Sequence, residues 1–144
     1  MTRDVLATDL DANGHVHYSA YIDAAADCRY RFFAERGLPA DAIRQLGIGP
    51  VYTLVTARFL REVRAGETLL ITYQLAGQSP HGKRWRVHHD ILKANGKKAA
   101  ILDIEGVILD LRTRTPTLPP AAWLAVFRQI PRSPAFEEMA ESLR

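Results

Sequence analysis

ATDLDANGHVHYSAYIDAAADCRYRFFAERG, residues Ala7 to Gly37, is the segment around which the remainder of the chain can be ordered. It opens with two carboxylates two residues apart, Asp9 and Asp11, then passes through an Asn13-Gly14 turn and a His15-Val16-His17 step. From there Tyr18, Tyr21, Ile22, Ala25, Cys28, Phe32 and Phe33 recur at three- and four-residue spacing, the apolar face of a helix expected from Tyr18 to Glu35. Asp27 and Arg31 make a favourable i,i+4 pair on the opposite side, and Gly37 followed by Leu38-Pro39 stops the helix. A carboxylate therefore sits in the turn before a helix N-terminus, where unpaired N–H groups and the helix dipole favour negative charge. A nucleophile or base and donors for a developing oxyanion can meet there. Ser19 is the only Ser, Thr, Asp or Asn between Val16 and Ile22, so no side-chain cap is evident before Tyr18 and the first N–H groups are expected to be free.

Working outward, Arg3 to Thr8 reads as a short first strand and Asp41 to Leu46 as one helical turn. Strands are expected at Val51–Leu60, Thr68–Ala76, Arg84–Ala94 and Lys97–Leu111, with a loop at Gly77–Gly82. Asn95-Gly96 is a strong hairpin signal between the last two strands. Ala121 to Gln129 reads as a short amphipathic helix, and a polar helical tail from Pro134 to Ser142 completes a helical C-terminal stretch of about 119–144. There is no repeat, low-complexity segment or linker, so residues 1–144 are expected to form one domain. This order predicts an α+β fold, a five-stranded antiparallel sheet wrapped around one long central helix, with short C-terminal helices. The uncovered face and edges of such a sheet call for at least a homodimer, with a homotetramer as the larger option.

Composition bounds the function. The chain has a net charge of +3, 24% charged residues and no run of five like charges, which suits a phosphate-bearing ligand and not nucleic acid. One cysteine, Cys28, excludes an internal disulfide and a CxxC zinc site; on the helix's apolar stripe it reads as a buried small hydrophobe. The N-terminus MTRDVLATDLD has no apolar leader and no stretch is long enough to span a membrane, so a cytoplasmic, reducing location is the expectation.

Asp9-Leu10-Asp11-Ala12-Asn13-Gly14-His15-Val16 followed by Tyr21, the Gly49-Pro50 entry to a strand, and Phe59 to Leu69 (FLREVRAGETL) carry a resemblance. They resemble hotdog-fold acyl-CoA thioesterases of the 4-hydroxybenzoyl-CoA thioesterase-like family. The resemblance implies a hotdog fold, hydrolysis of an acyl-CoA to free acid and CoA, and an active site at a dimer interface. It implies Asp11 as catalytic carboxylate, the backbone N–H near Tyr18 as oxyanion donor, and the Gly49 loop lining the same site. It implies no cofactor, CoA being part of the substrate. The sequence departs from the family pattern at Asp27, Tyr18 and Glu62, positions that bear on which acyl group is taken.

Each candidate has a simpler structural role as well. Asp11 before Asn-Gly can be a turn residue, and Asp9 is expected to be structural. His15 and His17 form an HxH step but lack a third well-spaced ligand, so no metal is expected. His88 and His89 should point to opposite faces of one strand, and the rings of Tyr18 and Tyr21 should pack against the sheet. Candidate substrate contacts are Asn13, Gly14, His15, His17 and Tyr21, with Arg84, Arg86 and Lys98, from a cluster that also holds Lys83, Lys93 and Lys97, facing the coenzyme phosphates. Alanines at 20, 24, 25 and 26 leave room along the helix for a chain or a ring. Two other functions fit the same fold, a non-catalytic acyl-CoA or acyl-carrier binding protein and an enoyl-CoA hydratase or dehydratase using the paired histidines.

Overall fold

The computed structural model describes residues 1–142. Helix α1, Tyr18–Ala34, lies across one antiparallel-rich sheet and buries Ala20, Tyr21, Ala24, Ala25, Cys28, Arg29 and Phe33 against it. Ala24 and Ala25 are 1% and 0% exposed, so the small side chains let the helix approach the sheet and leave no space for an acyl group there. Cys28 is buried as expected, and burial pushes its thiol pKa up.

Seven strands replace the expected five, because two rows of the sheet are each made in halves. The strands are β1 (Thr2–Asp4), β2 (Ile48–Phe59), β3 (Thr68–Ile71), β4 (Gln74–Gln78), β5 (Arg84–Leu92), β6 (Lys98–Asp110) and β7 (Arg132–Glu138). Strand β6 pairs along nearly its whole length with β2 on one side and β5 on the other. The far side of β5 is shared: Ile91 and Leu92 pair with β3, and Trp85 to His88 with β4. The run expected over Thr68–Ala76 is therefore interrupted at Thr72-Tyr73, where Asp90 N–H donates to Thr72 Oγ1 at 2.8 Å. Strand β1 pairs antiparallel with β3, and β7 runs parallel along β4. The five rows are thus β2, β6, β5, β3/β4 and β1/β7. The Asn95-Gly96 hairpin joins β5 to β6 with Gly96 at φ 81°, the conformation for which glycine is favoured.

The C-terminal stretch departs from expectation. Helix α3, Ala121–Phe127, is present, but Arg132–Glu138 is strand rather than helical tail. Leu75 N–H donates to the Pro131 carbonyl at 2.8 Å and Met139 N–H to the Gln78 carbonyl at 3.0 Å, so the open edge of β4 fixes this segment in extended form. The last two residues of the expected tail, 143–144, lie outside the described residues. Helix α2, Ala40–Gln45, matches the expected turn. Among the described residues no helix is long and apolar enough to cross a membrane.

The core falls into two clusters along α1. One surrounds its first half with Val5, Val16, Val63, Leu69, Ile71 and Leu102. The other gathers Phe33, Ile43, Ile48, Trp85, Ile104, Trp123 and Phe127 under α2 and α3. Gly106 on β6 is required there: a Cβ would stand 2.2 Å from the Trp85 ring and 2.5 Å from the Val51 carbonyl oxygen. With no side chain in the way, the Trp85 indole lies across β6 and meets the Tyr52 ring edge-on, 5.8 Å between centroids.

Candidate active site

The Asp11 turn is built by backbone groups. Asp11 N–H donates to the His15 carbonyl at 2.8 Å, and Asp11 Oδ1 accepts from Asn13 N–H at 2.8 Å and His15 N–H at 3.2 Å. Gly14, at φ 78°, closes the turn. Oδ2 of Asp11 accepts from no described residue, so half the carboxylate is held and half is available. Asp9 is structural, as expected: Oδ1 meets Arg3 Nη2 at 3.0 Å, Oδ2 accepts from Leu6 N–H at 2.9 Å, and its carbonyl accepts from His17 N–H at 2.7 Å. Arg3 also donates to the Ala20 carbonyl at 3.2 Å, locking the turn to the first turn of α1.

The helix start differs from expectation in one respect. His17 is the N-cap, and its Nδ1 accepts from Ser19 N–H at 3.2 Å while lying 2.9 Å from Ser19 Oγ. An imidazole serves here as the capping acceptor that a Ser or Asp scan does not find. Ala20 N–H donates to the His17 carbonyl at 3.0 Å, which leaves Tyr18 N–H as the first-turn amide without an acceptor among the described residues. The Tyr18 ring is 62% exposed rather than packed on the sheet, and it leans on the His17 ring at 4.5 Å. Tyr21 does pack inward, 5.4 Å from the Phe59 ring; burial raises its phenol pKa, with Glu67 and then Asp11 adding to the effect.

Asp11, His15, Tyr18, Tyr21, Phe59, Leu60, Arg61 and Glu62 line one open groove. The groove combines an anchored carboxylate, a helix N-terminal amide and an apolar wall from the end of β2. His15 Nε2 is in contact with the Glu62 carboxylate. Arg61, which sequence reasoning passed over, is the groove's cation, and its Nη1 donates to the Lys98 carbonyl at 2.7 Å.

Gly49 is not in this groove. It pairs with Leu109 at the opposite end of β2 from Phe59, and ten residues of extended chain at about 3.3 Å each put it roughly 33 Å away within one chain. The expected phosphate-binding cations are also elsewhere and engaged. Arg84 Nη1 donates to the Ala140 and Ser142 carbonyls at 2.9 and 2.7 Å. Arg86 pairs with Glu105 at 2.8 Å and Glu137 at 3.6 Å, and Lys98 with Asp90 at 3.1 Å. Each is answered by an acid or carbonyl distant in sequence, which is why their clustering misleads. His88 and His89 do face opposite ways: His88 bridges Asp103 and Asp90 at 2.8 and 3.2 Å, while His89 is 0% exposed.

A second polar centre went unread in the sequence. Arg29 is 7% exposed and its Nη1 donates to His89 Nε2 at 3.0 Å. The signal was its position, four residues after Ala25 and four before Phe33 on the buried stripe. His89 Nδ1 donates to the Thr72 carbonyl at 2.7 Å, which fixes Nε2 as the acceptor. Burial first, and the Arg29 charge second, push the His89 pKa down to about 3, so the imidazole is neutral.

Comparison with known proteins places these features in a family. A Staphylococcus aureus protein solved in complex with CoA superposes with a TM-score of 0.80 at 20% identity, covering 89% of this chain and 80% of that one. A 1,4-dihydroxy-2-naphthoyl-CoA thioesterase from Synechocystis gives 0.81 at 18% identity, over 90% of this chain and 94% of that one. A DHNA-CoA thioesterase from Staphylococcus aureus gives 0.80 at 14% identity, over 90% and 87%. No curated protein matches the sequence significantly. These likenesses are likenesses of fold, and the fold is the expected hotdog. The family model for the thioesterase-like superfamily matches residues 5–136, from the residue after β1 into β7, and the chain belongs to that superfamily.

Proposed function

We propose that this chain hydrolyses an acyl-CoA thioester at the Asp11 turn, releasing a free acid and CoA. The observation that carries this reading is the half-held carboxylate of Asp11 in one groove with the acceptor-free Tyr18 amide. The thioester carbonyl takes its hydrogen bond from Tyr18 N–H, where the helix dipole also favours the oxyanion. Asp11 Oδ2 either attacks the carbonyl carbon, expelling the CoA thiolate and leaving an acyl anhydride that water then hydrolyses, or removes a proton from a water that attacks in its place as the C–S bond breaks; in both cases one water is consumed and its proton ends on the CoA thiolate. Arg61 replaces Arg84, Arg86 and Lys98 as the residue proposed to meet the coenzyme's phosphates. The enoyl-CoA hydratase alternative needs an imidazole base: His17 is held by the helix cap, whereas His15 Nε2 meets the Glu62 carboxylate, a contact that orients a base, so hydration of crotonyl-CoA is the measurement that separates this reading from hydrolysis.

The working unit is proposed to be a homodimer through β2. One edge of β2 pairs with β6, and the strand leaves Val51, Tyr52, Leu54, Val55 and Phe59 between 38% and 53% exposed. Antiparallel pairing of two β2 edges about a two-fold axis covers these side chains. It also brings Gly49 of one chain toward the Phe59 end of the other, which is how Gly49 can line a site it does not reach within its own chain.

The test is thiol release from short-, medium- and long-chain and aromatic acyl-CoAs. The aromatic members are included because two similar structures are thioesterases of naphthoyl-type acyl-CoAs. Release by the wild-type protein supports hydrolysis; saturable binding of acyl-CoA without release identifies the non-catalytic binding protein instead.

A further inference from the structure

Under the second half of α1 lies a cavity of about 30 Å³. Arg29, Tyr30, Pro50, Tyr52, Trp85 and Trp123 are among the residues that line it, and none of the lining residues is an Asp or Glu. Three of its lining residues carry a buried donor with no acceptor among the described residues: Arg29 Nε, Trp85 Nε1 and Trp123 Nε1. Arg29, Trp85 and Trp123 are 7%, 3% and 4% exposed, so bulk water does not supply the missing acceptor.

The charge is also unanswered. Arg29 forms no ion pair with any described residue. Among the described residues its only polar partner is the neutral His89, and its guanidinium lies 4.9 Å from the centre of the Tyr52 ring. A buried cation without a counter-charge, beside two buried indole N–H groups without acceptors, is an arrangement that folded proteins rarely leave incomplete. Waters in so small a space can accept from the N–H groups but leave the guanidinium charge unanswered; a group that completes both accepts several hydrogen bonds and carries negative charge. A carboxylate does both, and its two oxygens suit a guanidinium flanked by N–H donors.

Size and surroundings narrow the choice. A water needs about 10–15 Å³ of such space, so the cavity takes two or three heavy atoms, a carboxylate head and no more. The body attached to it leaves past Tyr30 and Tyr52, which are 48% and 39% exposed in a single chain, and in the proposed β2 pair it is directed toward the partner. Walls of aromatic rings favour a flat, apolar body.

We propose that this cavity is a binding site for a small organic carboxylate of about the size of benzoate, its head on Arg29, Trp85 and Trp123 and its body between Tyr30 and Tyr52. The carboxylate belongs either to a free acid or to the distal end of an acyl group. The second source rests on the thioesterase reading and on the β2 dimer, which turns the Pro50–Tyr52 end of one chain toward the Asp11 groove of the other.

Trp85 and Trp123 are the only two tryptophans, so tryptophan emission, excited beyond the tyrosine absorption band, reports from residues that line this cavity. The wild-type protein is titrated with benzoate, and with benzyl alcohol as a neutral analogue. A saturable change with benzoate, at least about tenfold stronger in affinity than with benzyl alcohol, is expected. Arg29→Met, checked for native circular dichroism, should lose that response. No saturable change, an equal response to benzyl alcohol, or an unchanged response in Arg29→Met overturns the proposal. So does dissociation of an oligomer by Arg29→Met without any benzoate response in the wild type, because an acid of a second copy would then be the missing partner. Should Arg29→Met fail to fold, the comparison of benzoate with benzyl alcohol on the wild type decides alone. Thiol release from glutaryl-CoA and butyryl-CoA then separates the sources: loss of glutaryl-CoA turnover only in Arg29→Met places the carboxylate on the acyl group, and equal turnover of both thioesters with benzoate binding intact makes it a free acid. Absence of turnover with every thioester overturns the hydrolase and leaves the benzoate result standing.

Discussion

Substitution of Asp11 separates what its two oxygens do. Oδ1 holds the turn through two backbone N–H groups, and Oδ2 is unassigned within the chain. In Asp11→Asn the amide oxygen can take over both bonds of Oδ1, while the NH2 group has no lone pair with which to attack or to accept a proton. In Asp11→Ala both bonds are lost. At about 1 kcal/mol each for a half-exposed site, Ala should cost about 2 kcal/mol, whereas Asn should cost under about 1 kcal/mol. For a chain of this length that is a fall of roughly 4–8 °C in Tm for Ala and under about 4 °C for Asn. Both variants should lose thiol release, by about 100- to 10,000-fold in kcat, the range expected for removing a positioned base or more if Asp11 is the nucleophile. The assays are thiol release with the best acyl-CoA of the panel and thermal melting by circular dichroism. Asn retaining kcat within about threefold of wild type would refute the catalytic role; Asn melting as early as Ala would refute the division of labour between the two oxygens.

Three further outcomes are expected. Gly106→Ala, whose Cβ would stand 2.2 Å from the Trp85 ring, should destabilise by about 3 kcal/mol or more and shift the tryptophan emission, read by urea unfolding. His89 is neutral in the fold with its pKa depressed to about 3, below the unfolded 6.5. Its contribution is therefore intact above pH 6.5 and is lost as pH falls toward 3, at about 1.4 kcal/mol per pH unit, because only the unfolded chain takes up the proton; in His89→Gln this part of the acid slope should vanish from urea-midpoint profiles. Leu54→Lys, at a side chain 53% exposed on β2, should yield a monomer in sedimentation and lower turnover with it; an unchanged oligomer would remove β2 as the contact.

The features that local pattern controls were legible. The apolar spacing from Tyr18 to Phe33 marks the helix within one residue, and Asn95-Gly96 marks the hairpin. The Asp11 turn could be read because its hydrogen bonds span only four residues. What failed depends on partners far apart in sequence. Arg132–Glu138 carries Pro134 and scattered acids that suit a polar tail, yet it is strand because the unpaired edge of β4 lies beside it. Arg86 and Lys98 look like free cations until the sheet register sets Glu105 and Asp90 next to them. Arg29 stands on the buried stripe of the helix, but what it meets there, His89, is sixty residues away.

The two outer rows of the sheet differ in a way that bears on how copies add to one another. On one side the row is split between β1, three residues long, and β7, which holds Pro134 and ends in Glu137 and Glu138. Such a row offers short, interrupted and charged stretches to an incoming strand. On the other side β2 is twelve residues long, and beyond Pro50 near its start it offers Val51 to Phe59 without a further proline or an acid. In the proposed pair the two β2 edges face each other and only the short, charged rows are left outward, so edge-to-edge growth ends at a closed pair instead of running on into a fibre.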